Sequence, residues 1–116
     1  DGIVHPGNPT YPVDIDEVVR AAKDLGKLIE INNASLTVAR WGSWENCVKF
    51  VEKAAEYGAT IVICSDAHHT SLVGDFDKAV ELVKSVGFDS ELVLNTDVNK
   101  IREFLADRGK RGKVRK

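Results

Sequence analysis

The segment Ser65-Asp66-Ala67-His68-His69-Thr70 carries a carboxylate and an imidazole two positions apart. It follows Thr60-Ile61-Val62-Ile63-Cys64, the most apolar run of the chain. Side chains at i and i+2 of an extended segment point the same way, so Asp66 and His68 are expected to converge on one point. A converging carboxylate and imidazole suit a metal ion or a general acid/base pair. A third candidate, His5, ends the short apolar run from Gly2, ahead of Pro6-Gly7-Asn8-Pro9. Donors of type N, O and N suit zinc, manganese or iron, ions that acidify bound water and polarise phosphoryl oxygens. His5, Asp66 and His68 are too few for a cluster of several ions, so further ligands are expected from outside this chain.

Other residues sit where a strand gives way to a loop, the place where working side chains collect in parallel α/β folds. Glu30 and Asn32 end a second strand, and Asn95 ends a fourth. Each candidate also has a purely structural reading. His5 before a proline can be a hydrogen-bonded turn residue, and Asp66 with His68 can be an Asx-turn beside a surface histidine. Glu30 within an apolar strand must be paired with something, structural or catalytic. Asn32 and Asn33 read as loop hydrogen-bonders, with substrate contact the lesser alternative. Arg40, in a polar loop, can grip a phosphate in bidentate fashion or simply face water. His69 points away from His68 in an extended chain and is expected at the rim. Trp41 and Trp44 read as packing residues.

The elements that must position these residues alternate regularly. Strands are expected at 2–5, 27–32, 60–64 and 91–95, the third buried on both faces. Helices follow each of them. Asp14 and Glu17 form a capping box for the first, Ser43 caps the second, Asp75 starts the third and Thr96 caps the fourth. Gly26, Gly58, Gly87 and Gly109 close them. Four βα units imply an α/β fold with a parallel sheet and right-handed crossovers. No glycine-rich dinucleotide or P-loop signature follows any strand.

The chain has 116 residues, 43% of them hydrophobic and 29% charged, the composition of an ordinary globular domain. No apolar run is long enough to span a bilayer and no secretory signal opens the chain, so the cytoplasm is the expected compartment. Cys47 and Cys64 read as reduced core thiols. The lack of methionine and the opening directly on a strand lead us to expect a piece of a longer protein. Residues 1–107 read as the domain and 108–116 as a basic tail, with Arg108, Lys110, Arg111, Lys113, Arg115 and Lys116. A solvated end is the plain reading of that tail, and nucleic-acid contact the alternative, weakened by the absence of interleaved aromatics.

His5-Pro6-Gly7-Asn8-Pro9, Glu30-Ile31-Asn32-Asn33, Ser65-Asp66-Ala67-His68 and Leu94-Asn95-Thr96 together resemble the C-terminal half of the PHP (polymerase and histidinol phosphatase) domain family, nearest its YcdX-like phosphatases. The resemblance implies the C-terminal half of a distorted, TIM-like (β/α)7 barrel. It implies a divalent metal cluster, zinc above all with manganese or iron as alternatives, and hydrolysis of phosphomonoesters by metal-activated water. His5, Asp66 and His68 would be metal ligands, Asp66 and His68 the catalytic pair, and Arg40, His69 and Asn32 contacts to a phosphorylated small molecule. The family's N-terminal His-x-His motif is not in this sequence, so an N-terminal half would be needed as partner, and an oligomer is compatible. A PHP-type nuclease or proofreading module and a non-catalytic half-barrel interaction domain are the alternatives.

Overall fold

Parallel pairing of three strands sets the frame. The computed structural model describes residues 1–108 and 110. In it β1 (Gly2–Ile3), β2 (Leu28–Asn32) and β3 (Ile61–Cys64) lie side by side in that order, all parallel. Gly2 faces Leu28, Glu30 faces Val62 and Asn32 faces Cys64. Two helices, α1 (Ile15–Asp24) and α2 (Trp44–Tyr57), make the crossovers and pack on each other; α3 (Asp77–Ser85) and α4 (Val98–Ala106) follow. The molecule is thus an α/β fold built on a three-stranded parallel sheet.

The pleat sorts the strand residues by face. Ile29, Ile31, Ile61 and Ile63 are buried with Val19, Ala22, Phe50, Val51 and Ala54 of the two crossover helices. Glu30, Val62 and Cys64 alternate with them and are half-buried. The expectation that β3 is buried on both faces is therefore corrected: one face meets helices and the other is only partly covered.

Local chemistry explains most element ends. The Asp14 carboxylate accepts the Glu17 N–H at 3.1 Å and caps α1 as the spacing predicts. Gly58 ends α2 at φ 69°, a left-handed position that glycine fills without a Cβ penalty. Gly7 meets a different demand. A Cβ there would lie 2.9 Å from Cys47 Sγ, so the His5–Pro9 loop lies flat on α2 only because residue 7 has no side chain.

Several expectations are corrected. Ser43 does not cap α2 with its side chain; its hydroxyl donates back to the Arg40 carbonyl at 2.5 Å. Asp97, not Thr96, caps α4, accepting the Asn99 N–H at 2.7 Å, while Thr96 donates to the Val93 carbonyl. Helix α3 starts at Asp77 rather than Asp75, leaving Phe76 partly exposed. The fourth strand is reduced to a single parallel bridge between Ile61 and Val93, flanked by 3-10 turns at Ser90–Leu92 and Leu94–Thr96. The Asn95 side chain stands in for the missing ladder. Its Nδ2 donates to the Ile63 carbonyl at 2.6 Å and its Oδ1 accepts the Ile63 N–H at 3.1 Å. Asn95 is thereby a structural residue of the sheet edge. Trp41 and Trp44 are not packing residues, being 86% and 46% exposed. Of the basic tail, Arg108 pairs with Asp1 and Lys110 with Asp107, while residue 109 and residues 111–116 lie outside the described residues.

Among the described residues no helix is long and apolar enough to cross a membrane. Both cysteines are free thiols.

Candidate active site

Parallel strands deliver their C-terminal ends to one side of the sheet, and there β2 and β3 bring four polar residues into one network. Glu30 and Asn32, two apart on β2, share a face. Asn32 Nδ2 donates to Glu30 Oε2 at 3.3 Å and to Asp66 Oδ2 at 3.1 Å. Arg40 reaches in from the loop after β2. Its Nη2 donates to Asp66 Oδ2 at 2.7 Å and to Asn32 Oδ1 at 2.9 Å, and its Nε donates to Ser35 Oγ at 2.7 Å. Glu30 Oε2 also accepts the His5 backbone N–H at 2.6 Å. The partner that a half-buried Glu30 requires is thus the loop after β1 and the amide of Asn32.

Three non-glycine residues adopt left-handed φ among those described: His5 at 32°, Arg40 at 49° and Asp66 at 53°. All three are members of this network or joined to it through the backbone. Such conformations cost about 1–3 kcal/mol each and persist where surrounding contacts over-determine them. The hydrogen bonds just described are those contacts. Asp66 therefore ends the extended run of β3, and the alternation expected to align it with His68 does not operate. A turn brings the two together instead. His68 Nδ1–H donates to the Asp66 carbonyl at 2.8 Å and lies 3.9 Å from Asp66 Oδ1.

This geometry sets the chemistry of each group. The Arg40 guanidinium, and after it the Asn32 amide, hold the Asp66 carboxyl below its ordinary pKa, so it is a carboxylate at neutral pH. Both donors use Oδ2, leaving Oδ1 for a ligand. With Nδ1 committed to a backbone carbonyl, His68 keeps its lone pair on Nε2, the arrangement of a metal-ligating or proton-accepting imidazole. Its side chain is 85% exposed. His69 is turned elsewhere: its Nδ1 accepts the Ser71 N–H at 3.2 Å and the Ser71 hydroxyl at 2.8 Å. Asn32 is buried with its amide oxygen and nitrogen both engaged, and it braces the network rather than lining a cavity. Cys64, half-buried beside Glu30, has its thiol pushed up to about 11 by burial first and then by the Glu30 charge, so it is no thiolate nucleophile at neutral pH. Burial likewise pushes the Cys47 thiol up to about 11.

Arg40, Asp66 and His68 line a cavity of about 390 Å³ between the loops after β2 and β3. The size is in the range of small-molecule sites. His5 lines a separate hollow of about 340 Å³ with Val4, Pro6 and Tyr11. Among the described residues no group of three or more His, Cys, Asp and Glu side chains is placed to hold a metal ion. The donor types suit a divalent ion, but as a set Asp66 Oδ1 and His68 Nε2 are two donors short of a four-coordinate site. Sequence reasoning gave no site role to Ser35, Ser65, Leu72 or Asp75, which reach the site through the turns of their loops.

The chain matches no protein-family model. Over 108 residues, 93% of its length, it is 51% identical to a protein of a Thermoanaerobacter species named a probable phosphatase, of which it covers 44%. It is 47% identical over 111 residues to a probable phosphatase of Caldanaerobacter subterraneus, covering 96% of this chain and 44% of that one. A probable phosphatase of Acetivibrio thermocellus is 49% identical over 105 residues, with 90% and 43% covered. The chain spans less than half the length of these curated relatives, and along nearly all of its own length it is similar to a part of proteins named probable phosphatases.

Proposed function

We propose that this chain is the C-terminal half of a PHP-type (β/α)7 barrel, nearest the YcdX-like phosphatases, and that the complete protein hydrolyses phosphomonoesters with the help of divalent metal ions, zinc first and manganese or iron as alternatives. The observation that carries the reading is the clamped Asp66 carboxylate, held at one oxygen by Arg40 and Asn32 with the other oxygen beside His68 at the cavity mouth. The names of the relatives support it. On this reading the partner half would supply the ligands that the described residues do not bring together. A divalent ion, once bound, would polarise the phosphoryl oxygens. The chain's own part is orientation. Arg40 and Asn32 fix the plane of Asp66, and the Asp66 carbonyl fixes the tautomer of His68, so that Nε2 can take or hold a proton or a ligand bond. His5 would add a ligand from the loop after β1.

The test is release of inorganic phosphate from p-nitrophenyl phosphate by the full-length protein containing this chain, with and without zinc or manganese. Metal-stimulated release is expected, and Asp66→Asn is expected to lower it at least about 100-fold while leaving the circular dichroism spectrum unchanged. Turnover that survives Asp66→Asn would remove this residue from the mechanism, and no turnover with any of the ions would remove the phosphatase reading.

A further inference from the structure

Asn33 follows the network residue Asn32 and is 2% exposed. Its backbone N–H donates to the Cys64 carbonyl at 2.8 Å, its carbonyl accepts the Leu36 N–H and the Thr37 hydroxyl, and its Oδ1 accepts the Ala79 N–H at 2.9 Å. Its Nδ2 has no partner among the described residues. A buried amide donor left without an acceptor is costly, and such groups are nearly always satisfied by protein, water or ligand. Asn33 lines the cavity that Arg40, Asp66 and His68 also line. The remaining lining residues are Ala34, Thr37, Val38 and Ala39 on one loop and Ser65, Leu72 and Asp75 on the other, with more apolar than polar surface turned to the cavity.

We propose that this cavity is the seat of the organic part of the ester, and that it takes a compact, largely apolar group carrying one hydrogen-bond acceptor, an aryl ketone or a heteroaromatic ring rather than a polyol. The assignment of the group as a phosphate ester's rests on the proposed function; the cavity's preference does not. The volume of about 390 Å³ accommodates one ring system. The apolar walls offer little to a polyhydroxylated group, whose hydroxyls would lose water without replacement. Asn33 Nδ2 supplies a buried donor for the acceptor. The adjacent Asp66 and His68 then face the bond between that group and the phosphate.

The experiment titrates the full-length protein containing this chain with acetophenone and, separately, with ethylbenzene, which has the same shape without the acceptor, and follows backbone amide shifts by NMR. Both ligands are expected to perturb residues 33–40 and 65–75, with acetophenone binding about three- to tenfold more tightly, the worth of one hydrogen bond to an otherwise unsatisfied donor. Leu72→Trp, a change at a partly exposed position that fills the cavity, should abolish both. Asn33→Asp keeps the acceptor for the Ala79 N–H and removes the donor, and should erase the preference for acetophenone. Shifts confined to other residues, equal binding of the two ligands, or unchanged binding in Leu72→Trp would overturn the proposal. The expected binding pattern combined with no hydrolysis of either acetylphenyl phosphates or p-nitrophenyl phosphate by the full-length protein would sink the phosphatase reading and leave the site standing. Hydrolysis with the same KM in wild type and Leu72→Trp would do the reverse.

Discussion

At the scale of single residues, Arg40 is the most committed side chain of the candidate site. The sequence offered two readings for it, phosphate grip or exposed loop residue; in the structure it is half-buried at the cavity, and its Nε and Nη2 donate to Ser35, Asn32 and Asp66. Removing it leaves the buried Asn32 Oδ1 short of a donor and Asp66 Oδ2 without its ion pair. Arg40→Met should therefore cost about 2–3 kcal/mol in urea unfolding at pH 7. Arg40→Gly loses the same contacts but relieves the left-handed backbone, and should be less damaging than Arg40→Met by about 1 kcal/mol. Equal losses would show that the backbone at 40 carries no strain. What the sequence disclosed at this scale was residue type and spacing. Asp66 and His68 stand out because a carboxylate and an imidazole follow an apolar run. The link that brings them together was hidden, because it depends on a left-handed Asp66, and no residue type demands that conformation.

At the scale of elements, two side-chain joints tie neighbouring parts of the fold together, one between helices and one at the sheet edge. Asp16 of α1 accepts the Tyr57 hydroxyl of α2 and is flanked by Arg20 and Lys53. The Tyr57 hydrogen bond is the leading cause that holds the Asp16 carboxyl below its ordinary value. A depressed folded-state pKa contributes stability that is present above the unfolded value and lost as pH falls through the folded one. Tyr57→Phe should accordingly lower Tm at pH 7, and the gap to wild type should close as pH drops below about 4. A gap that persists at pH 2 would assign the loss to packing instead. The second joint is Asn95. Asn95→Ala leaves the N–H and C=O of Ile63 unpaired at the sheet edge and should cost about 2 kcal/mol, with faster amide exchange at Ile63. Helices and the first three strands were legible because their apolar spacing repeats over many residues. The fourth strand misled because Leu92-Val93-Leu94 reads as a short apolar strand while Asp89 and Asn95, on either side, spend their side chains on turns and on β3. Caps at Ser43 and Thr96 misled for a related reason: a hydroxyl can serve the loop behind it as readily as the helix ahead.

At the scale of the molecule, the described chain is lopsided. One face of the sheet is sealed by helices, whereas the other shows Glu30, Val62 and Cys64 half-buried. Strand β1 pairs only with β2 among the described residues, and Ile3, Val4, Tyr11 and Val13 beside it are exposed. This is the side on which the proposed partner half would dock. Adding the part of a relative that lies outside the matched region should slow amide exchange of residues 2–4 by at least about tenfold. Unchanged exchange would place the partner's contact elsewhere. The shortage of ligand-type side chains was legible in the sequence; the sidedness of the sheet was not, because it depends on which strand edge is occupied.

The Asn95 amide has a consequence for how such a sheet can grow. A parallel edge strand offers its outward N–H and C=O groups to any extended chain that comes near, including another copy of itself. On β3 those groups at Ile63 are taken by a side chain, and at Ile61 the bridge to Val93 occupies the edge. Strand addition over this stretch is therefore blocked, and β1 is left as the receptive margin. Pairing at the sheet edges is therefore directional among the described residues: the Asn95 carboxamide and the Val93 bridge close one side, and β1 keeps the other.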